Sequence, residues 1–353
     1  MNKNICTDGG GAIMCVKNAL NVLMVLLLTA VAVGAIIMAA CDKHPTNVAH
    51  DHWTRTLRYS GTENLNGIAA GGNGMFVVVG DAGTILSSPD GVEWTERSSG
   101  THHALHSVVW GGGMFVAGGG MAGIGMRDEV GDSGTIITSA DGVEWTVRGT
   151  WRGWPFESIA WGNGRYVAGR WDSGNTVLIS DGGVEWIEQQ IEQMFRVDRV
   201  KLVHGDELFM GGHDDCGVSV STDGINWERA GLNFNDHCYS GGLYMPSCAF
   251  VSSIAYGNGI FLLMDESGGL AQYEKGKGWK HLYCGGRGHS MIYDGTRFVI
   301  VGDDVISFTE NGSKFEQASI DERRGGVSIA YNGDVYIVVN RTEIETLSKG
   351  VYE

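Results

Sequence analysis

Apolar and polar residues alternate in short runs along residues 53–353, and glycine-containing turns separate the runs. Gly134–Trp145 shows the pattern: an alternating run, a turn at Asp141-Gly142, and a second run that opens at Trp145. A period of two predicts half-buried strands, and Asp-Gly or Asn-Gly between such runs predicts tight hairpins. Similar stretches occur at 83–94, 175–186 and 217–227. The chain is therefore predicted to be all-β and built from a repeated hairpin.

Seven repeat units can be aligned along the chain. Each opens with an inner strand, expected at Gly67-Ile68-Ala69, Ser107-Val108-Val109, Ser158-Ile159-Ala160, Arg199-Val200-Lys201, Ser253-Ile254-Ala255, Ser290-Met291-Ile292 and Ser328-Ile329-Ala330. A turn follows at Asn73-Gly74, Gly112-Gly113, Asn163-Gly164, Gly205-Asp206, Asn258-Gly259, Asp294-Gly295 and Asn332-Gly333. The second strand then carries an aromatic residue, expected in the core, at Phe76, Phe115, Tyr166, Phe209, Phe261, Phe298 and Tyr336. Four strands per repeat of about 40–50 residues predict a β-propeller.

The second hairpin of each unit indicates how the ring closes. Its turns are expected at Asp90-Gly91, Asp141-Gly142, Asp181-Gly182, Asp223-Gly224, Lys277-Gly278, Asn311-Gly312 and Lys349-Gly350. Outer strands open with Trp94, Trp145, Trp186, Trp227, Trp279 and Phe315, but the seventh unit ends at Glu353 before such a residue. Because His52-Trp53-Thr54-Arg55 matches the missing strand, the N-terminal strand is predicted to complete the last blade. This gives a monomeric, seven-bladed propeller of four-stranded antiparallel blades without open edges, with six or eight blades as the alternatives.

The N-terminal segment predicts export. Val22–Ala40 is almost entirely apolar, Lys17 precedes it, and Cys41 follows two alanines. The end of this segment resembles the lipobox of bacterial lipoproteins, with Met38 where leucine is usual. We therefore expect a signal peptide over 1–41 with lipidation of Cys41, a tether over 42–52 and the propeller over 53–353. An uncleaved anchor or an ordinary cleaved signal are the alternatives, and the start codon is Met1 or Met14. All place the propeller outside the cytoplasm; in such lipoproteins Asp42 favours the periplasmic side of the inner membrane over the cell surface.

The amino-acid composition and net charge limit the classes of partner that the chain is expected to bind. Glycine is abundant (56 residues), proline is scarce (4 residues), and the net charge is −16. This much glycine without a Gly-X-Y period is typical of many turns. An acidic chain without clustered lysine and arginine argues against a nucleic-acid partner.

The hairpins resemble the Asp-box (BNR) repeats of sialidase-like propellers, Ser-x-Asp-x-Gly-x-x-Trp, although most copies here are one residue shorter. They are also similar to photosystem II assembly-factor-like propellers. The resemblance covers 53–353 and implies the fold, with no particular activity. It implies that the box side chains hold the turns, namely Ser88, Asp90, Ser139, Asp141, Ser221 and Asp223.

Two long insertions are predicted on one face of the ring. Residues 118–132 link the second and third strands of unit two, and residues 231–250 link unit four to unit five. Loops carry function more often than scaffolds do, so we expect the binding site there, although neutral loop growth is the alternative. The candidate binding residues, whose aromatic, arginine and histidine side chains suit protein or glycan partners, are Arg127, Asp128, Trp151, Arg152, Trp154, Trp171, His237, Tyr239, Arg287 and His289.

Other chemistry is less well supported. Acids at the ends of the second strands, such as Asp81 and Asp265, offer oxygen ligands for Ca²⁺, but no calcium-loop motif is present. His102 and His106 are too weakly patterned for a zinc site, and no metal or cofactor is predicted. In an exported chain Cys238 and Cys248 are expected to form a disulfide; Cys216 and Cys284 are a further candidate pair.

A sialidase-type glycoside hydrolase is the alternative function. It needs three converging arginines, for which Arg127, Arg170, Arg287 and Arg324 are available, but the nearest FRIP-like segment, Phe195–Asp198, lies in the wrong unit. We find no other catalytic motif and therefore predict a non-catalytic binding or assembly module.

Overall fold

The computed structural model describes residues 53–121, 134–170, 176–191, 201–212, 217–231, 251–266, 269–284, 288–302, 305–319 and 328–349. These residues form seven four-stranded antiparallel sheets, which confirms the predicted seven-bladed all-β propeller. One 3-10 turn at Asp81–Gly83 is the single helical segment in the described ranges. Within the same ranges no helix is long and apolar enough to cross a bilayer.

The strands are numbered along the chain. The inner strands of blades 1 to 7 are β2 (Leu65–Ala70), β6 (Ala104–Gly111), β10 (Phe156–Gly162), β14 (Lys201–Gly205), β18 (Val251–Gly257), β22 (Gly288–Tyr293) and β26 (Ser328–Tyr331). The second strands are β3 (Phe76–Gly80), β7 (Met114–Gly120), β11 (Arg165–Arg170), β15 (Leu208–Gly212), β19 (Ile260–Asp265), β23 (Phe298–Gly302) and β27 (Tyr336–Asn340). The third strands are β4 (Ile85–Ser88), β8 (Gly134–Ser139), β12 (Thr176–Ser180), β16 (Val218–Ser221), β20 (Gly269–Glu274), β24 (Val305–Thr309) and β28 (Glu343–Lys349). The outer strands are β5 (Thr95–Arg97), β9 (Thr146–Trp151), β13 (Ile187–Gln190), β17 (Glu228–Arg229), β21 (Gly278–Cys284), β25 (Glu316–Ser319) and, in blade 7, β1 (Trp53–Ser60).

The N-terminal strand closes the ring as predicted. β1 pairs antiparallel with β28, so that Trp53 lies opposite Lys349 and Ser60 lies opposite Glu343. Arg55 of β1 forms an almost fully buried ion pair with Glu345 of β28, with a distance of 3.4 Å between Nη1 and Oε2. The first strand of the propeller is therefore held to the last by an antiparallel ladder, with one register shift between Leu57 and Tyr59, and by a buried charge pair.

The hydrophobic core lies between neighbouring blades. The aromatic residues of the second strands are fully or largely buried, as the repeat predicted. One cluster, for example, combines Val77 and Val79 of blade 1 with Phe115 and Ala117 of blade 2. Complete burial of such side chains contributes about 1.5–3 kcal/mol each, so each blade depends on its neighbours for its stability.

Hydrogen bonds of the inner strands also join the blades. The hydroxyl of Ser107 accepts from the backbone N–H of Ile159 in the next blade, at 3.2 Å. Ser158 accepts from Leu202 at 3.0 Å, and Ser253 accepts from Met291 at 3.0 Å. The small inner-strand residue of the repeat is therefore a link between blades.

A serine and an aspartate hold the second hairpin turn. In blade 1, the Asp90 carboxylate accepts from Ser88 Oγ and from the N–H groups of the two residues after Gly91. Ser88 Oγ accepts from the N–H of Gly91, whose carbonyl accepts from the indole of Trp94. Equivalent side-chain bonds hold the turns at Ser139–Asp141 in blade 2 and at Ser221–Asp223 in blade 4.

Two of the predicted second turns differ in register from the structure. In blade 3, Gly183 rather than Gly182 has a positive φ (73°), and its N–H donates to Ser180 Oγ. Asp181 therefore does not cap this turn and instead pairs with Arg165 at 2.6 Å. In blade 5, Gly278 is the first residue of β21 and pairs with Glu274, so the turn lies at 275–277.

Blade 4 also departs from its predicted register. Its inner strand begins at Lys201, and the Leu202–Ser158 hydrogen bond places Lys201, rather than Arg199, in the position of the linking serines. Arg199 lies outside the described residues. The turn after this strand is formed by Asp206 and Glu207, which have φ angles of 47° and 61°, and not by Gly205-Asp206. Neither residue is a glycine, which explains why the sequence pattern was ambiguous here.

Candidate binding face

The strand connections divide the propeller into two faces. The turns between the first and second strands and between the third and fourth strands of each blade lie on one side, which we call the turn face. We call the opposite side the insertion face. β7 ends at Gly120 and β8 begins at Gly134, while β17 ends at Arg229 and β18 begins at Val251. Because strand direction alternates within a blade, all four of these ends lie on the insertion face. The two insertions therefore begin and end on the same face.

An aromatic and arginine-containing corner lies on the insertion face between blades 2 and 3. Trp151 ends β9, Phe156 begins β10, and their rings meet edge to face at 5.7 Å. Trp154 lies between them and is 44 % exposed, and Arg152 is also exposed. A Cβ at Gly134 would lie 2.8 Å from Cε2 of Phe156 and 3.2 Å from the carbonyl oxygen of Trp154. The link is thus packed closely against β8 while it presents Trp154 outward.

Arg170, the last residue of β11, packs against this corner. It is 5 % exposed, and its guanidinium carbon lies 5.2 Å from the ring centroid of Phe156. Its Nη1 donates to Glu188 Oε1 at 3.2 Å and approaches the carbonyl oxygen of Arg152 at 3.5 Å. A buried arginine held by a carboxylate, a carbonyl and an aromatic ring keeps the link in place. We call Trp151, Arg152, Trp154, Phe156 and Arg170 the aromatic corner.

The inner strands contain a second feature of the insertion face. The pairing of inner and second strands shifts by one residue in five blades, which marks a β-bulge. Bulges redirect side chains and are common near functional sites. The extra residue is polar in every case: Asn66, His106, Glu157, Ser252 and His289. All five are partly or fully exposed.

The polar side chains of blades 1 and 2 form a small network. Asp81 accepts from the side-chain amides of Asn64 at 2.8 Å and Asn66 at 2.9 Å. Asn66 also donates to the carbonyl oxygen of Leu105 in blade 2, at 3.0 Å. Nε2 of the neighbouring His106 is buried and has no hydrogen-bond partner in the described part of the chain.

The structure brings together some of the predicted site residues. Trp151, Arg152 and Trp154 belong to the aromatic corner, whereas His289 is the bulged residue of blade 6. The others lie outside the described residues and stay predictions: Arg127, Asp128, Trp171, His237, Tyr239, Arg287, Cys41, Cys238 and Cys248. The side chain of Cys284 and residue Cys216 are also not described, so their pairing is likewise untested.

Sequence reasoning missed two contributions to this face. The sequence offers Arg170 only as a candidate for a sialidase-like triad, although this arginine holds the link that carries Trp154. The bulged residues Asn66, Glu157 and Ser252 were not singled out either. Their signal was available, because a polar residue directly precedes the small inner-strand residue in each of these blades.

The described residues contain no group of three or more histidine, cysteine, aspartate or glutamate side chains that could hold a metal ion. Of the acids first considered for Ca²⁺, Asp81 binds two asparagines, and Asp265 accepts from the N–H of Gly269 at 2.7 Å within its own blade. Of the arginines of the sialidase-type alternative, Arg127, Arg287 and Arg324 lie outside the described residues, so the triad stays a prediction.

A set of ring-containing side chains lies near the turn face. Six inner strands place an aromatic or imidazole ring before the first turn, and we call this set the collar: Trp110, Trp161, His204, Tyr256, Tyr293 and Tyr331. A Cβ at Gly162 would overlap the His204 ring, and one at Gly205 would overlap Tyr256. Burial lowers the pKa of His204, the one titratable imidazole in the collar. The collar therefore packs the blades together.

The comparisons with known proteins concern the fold. No family model and no curated protein matches the sequence. A structure of YCF48 bound to D1 peptide is similar, with a TM-score of 0.61, 13 % identity, and coverage of 85 % of this chain and 97 % of that chain. YCF48 from Cyanidioschyzon merolae gives a TM-score of 0.57 at 13 % identity, covering 84 % and 98 %. The extracellular domain of the putative one-component system BT4673 from B. thetaiotaomicron gives 0.59 at 11 % identity, covering 83 % and 39 %. At these identities the likeness shows a shared propeller fold and nothing finer.

Proposed function

We propose that this chain is a membrane-anchored, extracytoplasmic propeller that binds a protein partner through its insertion face without catalysing a reaction. The observation that carries the proposal is the aromatic corner, in which Trp154 is exposed on a link that Arg170 and Phe156 hold in place. Tryptophan and arginine are both enriched among the residues that contribute most of the binding energy of protein interfaces. A link that is already ordered loses little entropy on binding.

The similarity to YCF48 supports the proposal, since that propeller is described in complex with a peptide. Our preference for protein over glycan rests on Arg152 beside Trp154, because a charged side chain suits the polar rim of a protein interface.

Affinity capture from detergent-solubilised membranes tests the binding role. The full chain is the bait, compared with Trp154→Ala and with Ile187→Ala as the control, because Ile187 is exposed on the outer strand of blade 3 at the turn face. We expect Trp154→Ala to reduce partner recovery by about tenfold or more, as for an interface hot spot, and Ile187→Ala to change it little. Equal recovery by all three baits contradicts the proposal. Recovery that is lost after periodate oxidation of the membranes indicates a glycan.

Metabolic labelling with an alkyne fatty acid tests the anchor. We expect the wild-type chain to be labelled and membrane-bound, Cys41→Ser to be unlabelled, and Cys15→Ser to behave as wild type. A lipid chain supplies membrane affinity of about 0.8 kcal/mol per buried methylene. An unlabelled wild-type chain that stays in the membrane fraction indicates an uncleaved anchor instead.

A further inference from the structure

Three bulged residues lie side by side at the insertion face, in consecutive blades. Asn66, His106 and Glu157 occupy the same position of the inner strands of blades 1, 2 and 3, and we call them the acceptor arc. Asn66 donates to the carbonyl oxygen of Leu105, the residue before His106. Ser107, the residue after His106, accepts from the backbone of blade 3 at 3.2 Å. The bulge of blade 1 is therefore joined to that of blade 2 through Asn66 and Leu105, and the bulges of blades 2 and 3 are joined through Ser107 and Ile159.

The arc has spare acceptors and few spare donors. The two N–H groups of the Asn66 amide donate to Asp81 and Leu105, which leaves its side-chain carbonyl oxygen as an acceptor. The Glu157 carboxylate has no hydrogen bond or ion pair within the described residues. His106 Nε2 is buried, and in the same part of the chain it has no partner. A buried nitrogen without a partner is unfavourable unless a ligand satisfies it.

No cation of the described chain fills this place. Lys201, on the inner strand of blade 4, makes contacts of its own and forms no ion pair with Glu157 in the described ranges. The Asp81 carboxylate is held by two amides and adds negative charge beside Asn66. The arc therefore presents carboxylate and carbonyl oxygens. The chain as a whole is also acidic, with a net charge of −16.

We propose that the acceptor arc binds the cationic side chain of a lysine or arginine in a partner peptide. This rests on the proposed function, because it names the chemistry that the insertion face recognises. An ammonium brings three donors and a guanidinium five, and their hydrogen bonds to a carboxylate are about twice as strong as neutral ones. The acidic chain also raises the local concentration of a cationic partner.

The arc is continuous with the aromatic corner. Glu157 directly follows Phe156, whose ring contacts Trp151 and the guanidinium of Arg170. A peptide that lies along the joint of blades 2 and 3 reaches the acceptor arc on the inner strands and Trp154 on the link between the blades. The expected partner sequence therefore combines a basic residue with an apolar or aromatic one a few residues away.

Titration of the full chain in detergent with acetylated, amidated tetralysine at low ionic strength tests this inference. Glu157→Gln is compared with Glu185→Gln, an exposed carboxylate of the same blade at the turn face. We expect Glu157→Gln to weaken binding about tenfold, in line with the loss of a charged hydrogen bond, and Glu185→Gln to weaken it less than twofold. We also expect the imidazole ¹⁵N signals of His106 to shift on addition of tetralysine, and tetraglutamate to have no effect. An unchanged urea midpoint of Glu157→Gln shows that the variant is folded.

Equal weakening by the two variants, absence of binding, or unshifted His106 signals overturns the inference. The failure is separable from that of the proposed function. If tetralysine does not bind but Trp154→Ala still abolishes partner capture, only the acceptor arc is rejected. If Glu157→Gln weakens tetralysine binding but Trp154→Ala leaves partner capture intact, the aromatic corner is rejected instead.

Discussion

The indole ring of Trp53 lies 5.2 Å from the phenyl ring of Phe308, although almost the whole propeller sequence separates these residues. Trp53 belongs to the strand that completes blade 7, and Phe308 belongs to the third strand of blade 6. Trp53 also meets Tyr336 edge to face at 5.9 Å and is 6 % exposed. The closing strand is thus held both by its ladder with β28 and by packing against the neighbouring blade.

Replacement of Trp53 tests this closure. We expect Trp53→Ala to lower the free energy of unfolding by about 3–5 kcal/mol, the usual cost of truncating a buried aromatic residue. Urea denaturation monitored by circular dichroism measures the change. Trp154→Ala is the control, because exposed Trp154 is outside the core and its loss is expected to cost less than about 1 kcal/mol. Similar losses in both variants contradict a closing role for Trp53.

We expect the joint of blades 3 and 4 to be sensitive to acid because it contains His204. Burial lowers the pKa of its imidazole, so the unfolded chain takes up a proton more readily than the folded protein does. Stability is therefore expected to fall as the pH decreases below the unfolded value of about 6.5, and to level off below the folded pKa. Thermal unfolding between about pH 7.5 and 5 measures this change.

A His204→Tyr variant is expected to lose this component of the pH dependence. Tyrosine occupies the same collar position at Tyr293, where its hydroxyl donates to Asn258 of the preceding blade at 2.7 Å. For a tyrosine at position 204, the corresponding partner is Asn163, which lies in the first turn of blade 3. An unchanged pH profile in His204→Tyr assigns the acid sensitivity to other groups.

The turn at Asp223 is expected to weaken only in strong acid. Burial raises the pKa of this carboxyl, but hydrogen bonds from Asn226, Ile225 and Ser221 outweigh it and lower the pKa to about 2. The stabilisation is therefore present above the unfolded pKa of about 3.9 and is lost as the pH falls towards 2. Because the Asp223 side chain is partly exposed, we expect its ionisation to contribute less than about 1 kcal/mol to the free energy of unfolding.

Two substitutions separate the charge of Asp223 from its capping role. Asn311 holds the equivalent turn of blade 6 by accepting from the N–H of Ser313 at 3.0 Å. We therefore expect Asp223→Asn to retain most of the stability at pH 7 and to lose this part of the acid dependence. Asp223→Ala is expected to lose both. Chemical denaturation at pH 7 and pH 3 distinguishes them, and equal loss in both variants at pH 7 argues against capping by the amide.

The first turn of blade 4 is expected to be strained. Asp206 and Glu207 both have positive φ, whereas Asn163-Gly164 and Asn258-Gly259 fill the same position in blades 3 and 5. A left-handed conformation costs a residue with a side chain about 1–2 kcal/mol, and glycine avoids this cost. We expect Asp206→Asn combined with Glu207→Gly to stabilise the protein by about 1 kcal/mol in urea denaturation. Gly164→Glu is the reverse control, and it should destabilise by a similar amount.

Most of the fold was predictable because the features of the repeat depend on interactions between residues that are close in the sequence. A core aromatic after each first turn, as at Phe76, and a serine–aspartate pair at second turns, as at Ser88 and Asp90, depend only on neighbours in the sequence. The register failed where a unit departs from the common spacing. Asp181-Gly182 imitates the Asp-Gly turn, but Ser180 caps Gly183 because that glycine has the required positive φ.

By itself, the sequence determined the propeller, its blade number and the strand that closes it, because these follow from periodicity and from two complementary ends. Tertiary structure alone decided which polar residues share a surface. Arg170 holds the link that carries Trp154 because strands of blade 3 and the link that enters from blade 2 meet at one joint. Asn66, His106 and Glu157 come from different blades, and they become neighbours because the packing of consecutive blades brings their inner strands together. No local pattern records such a proximity, since it arises from the packing of one blade against the next.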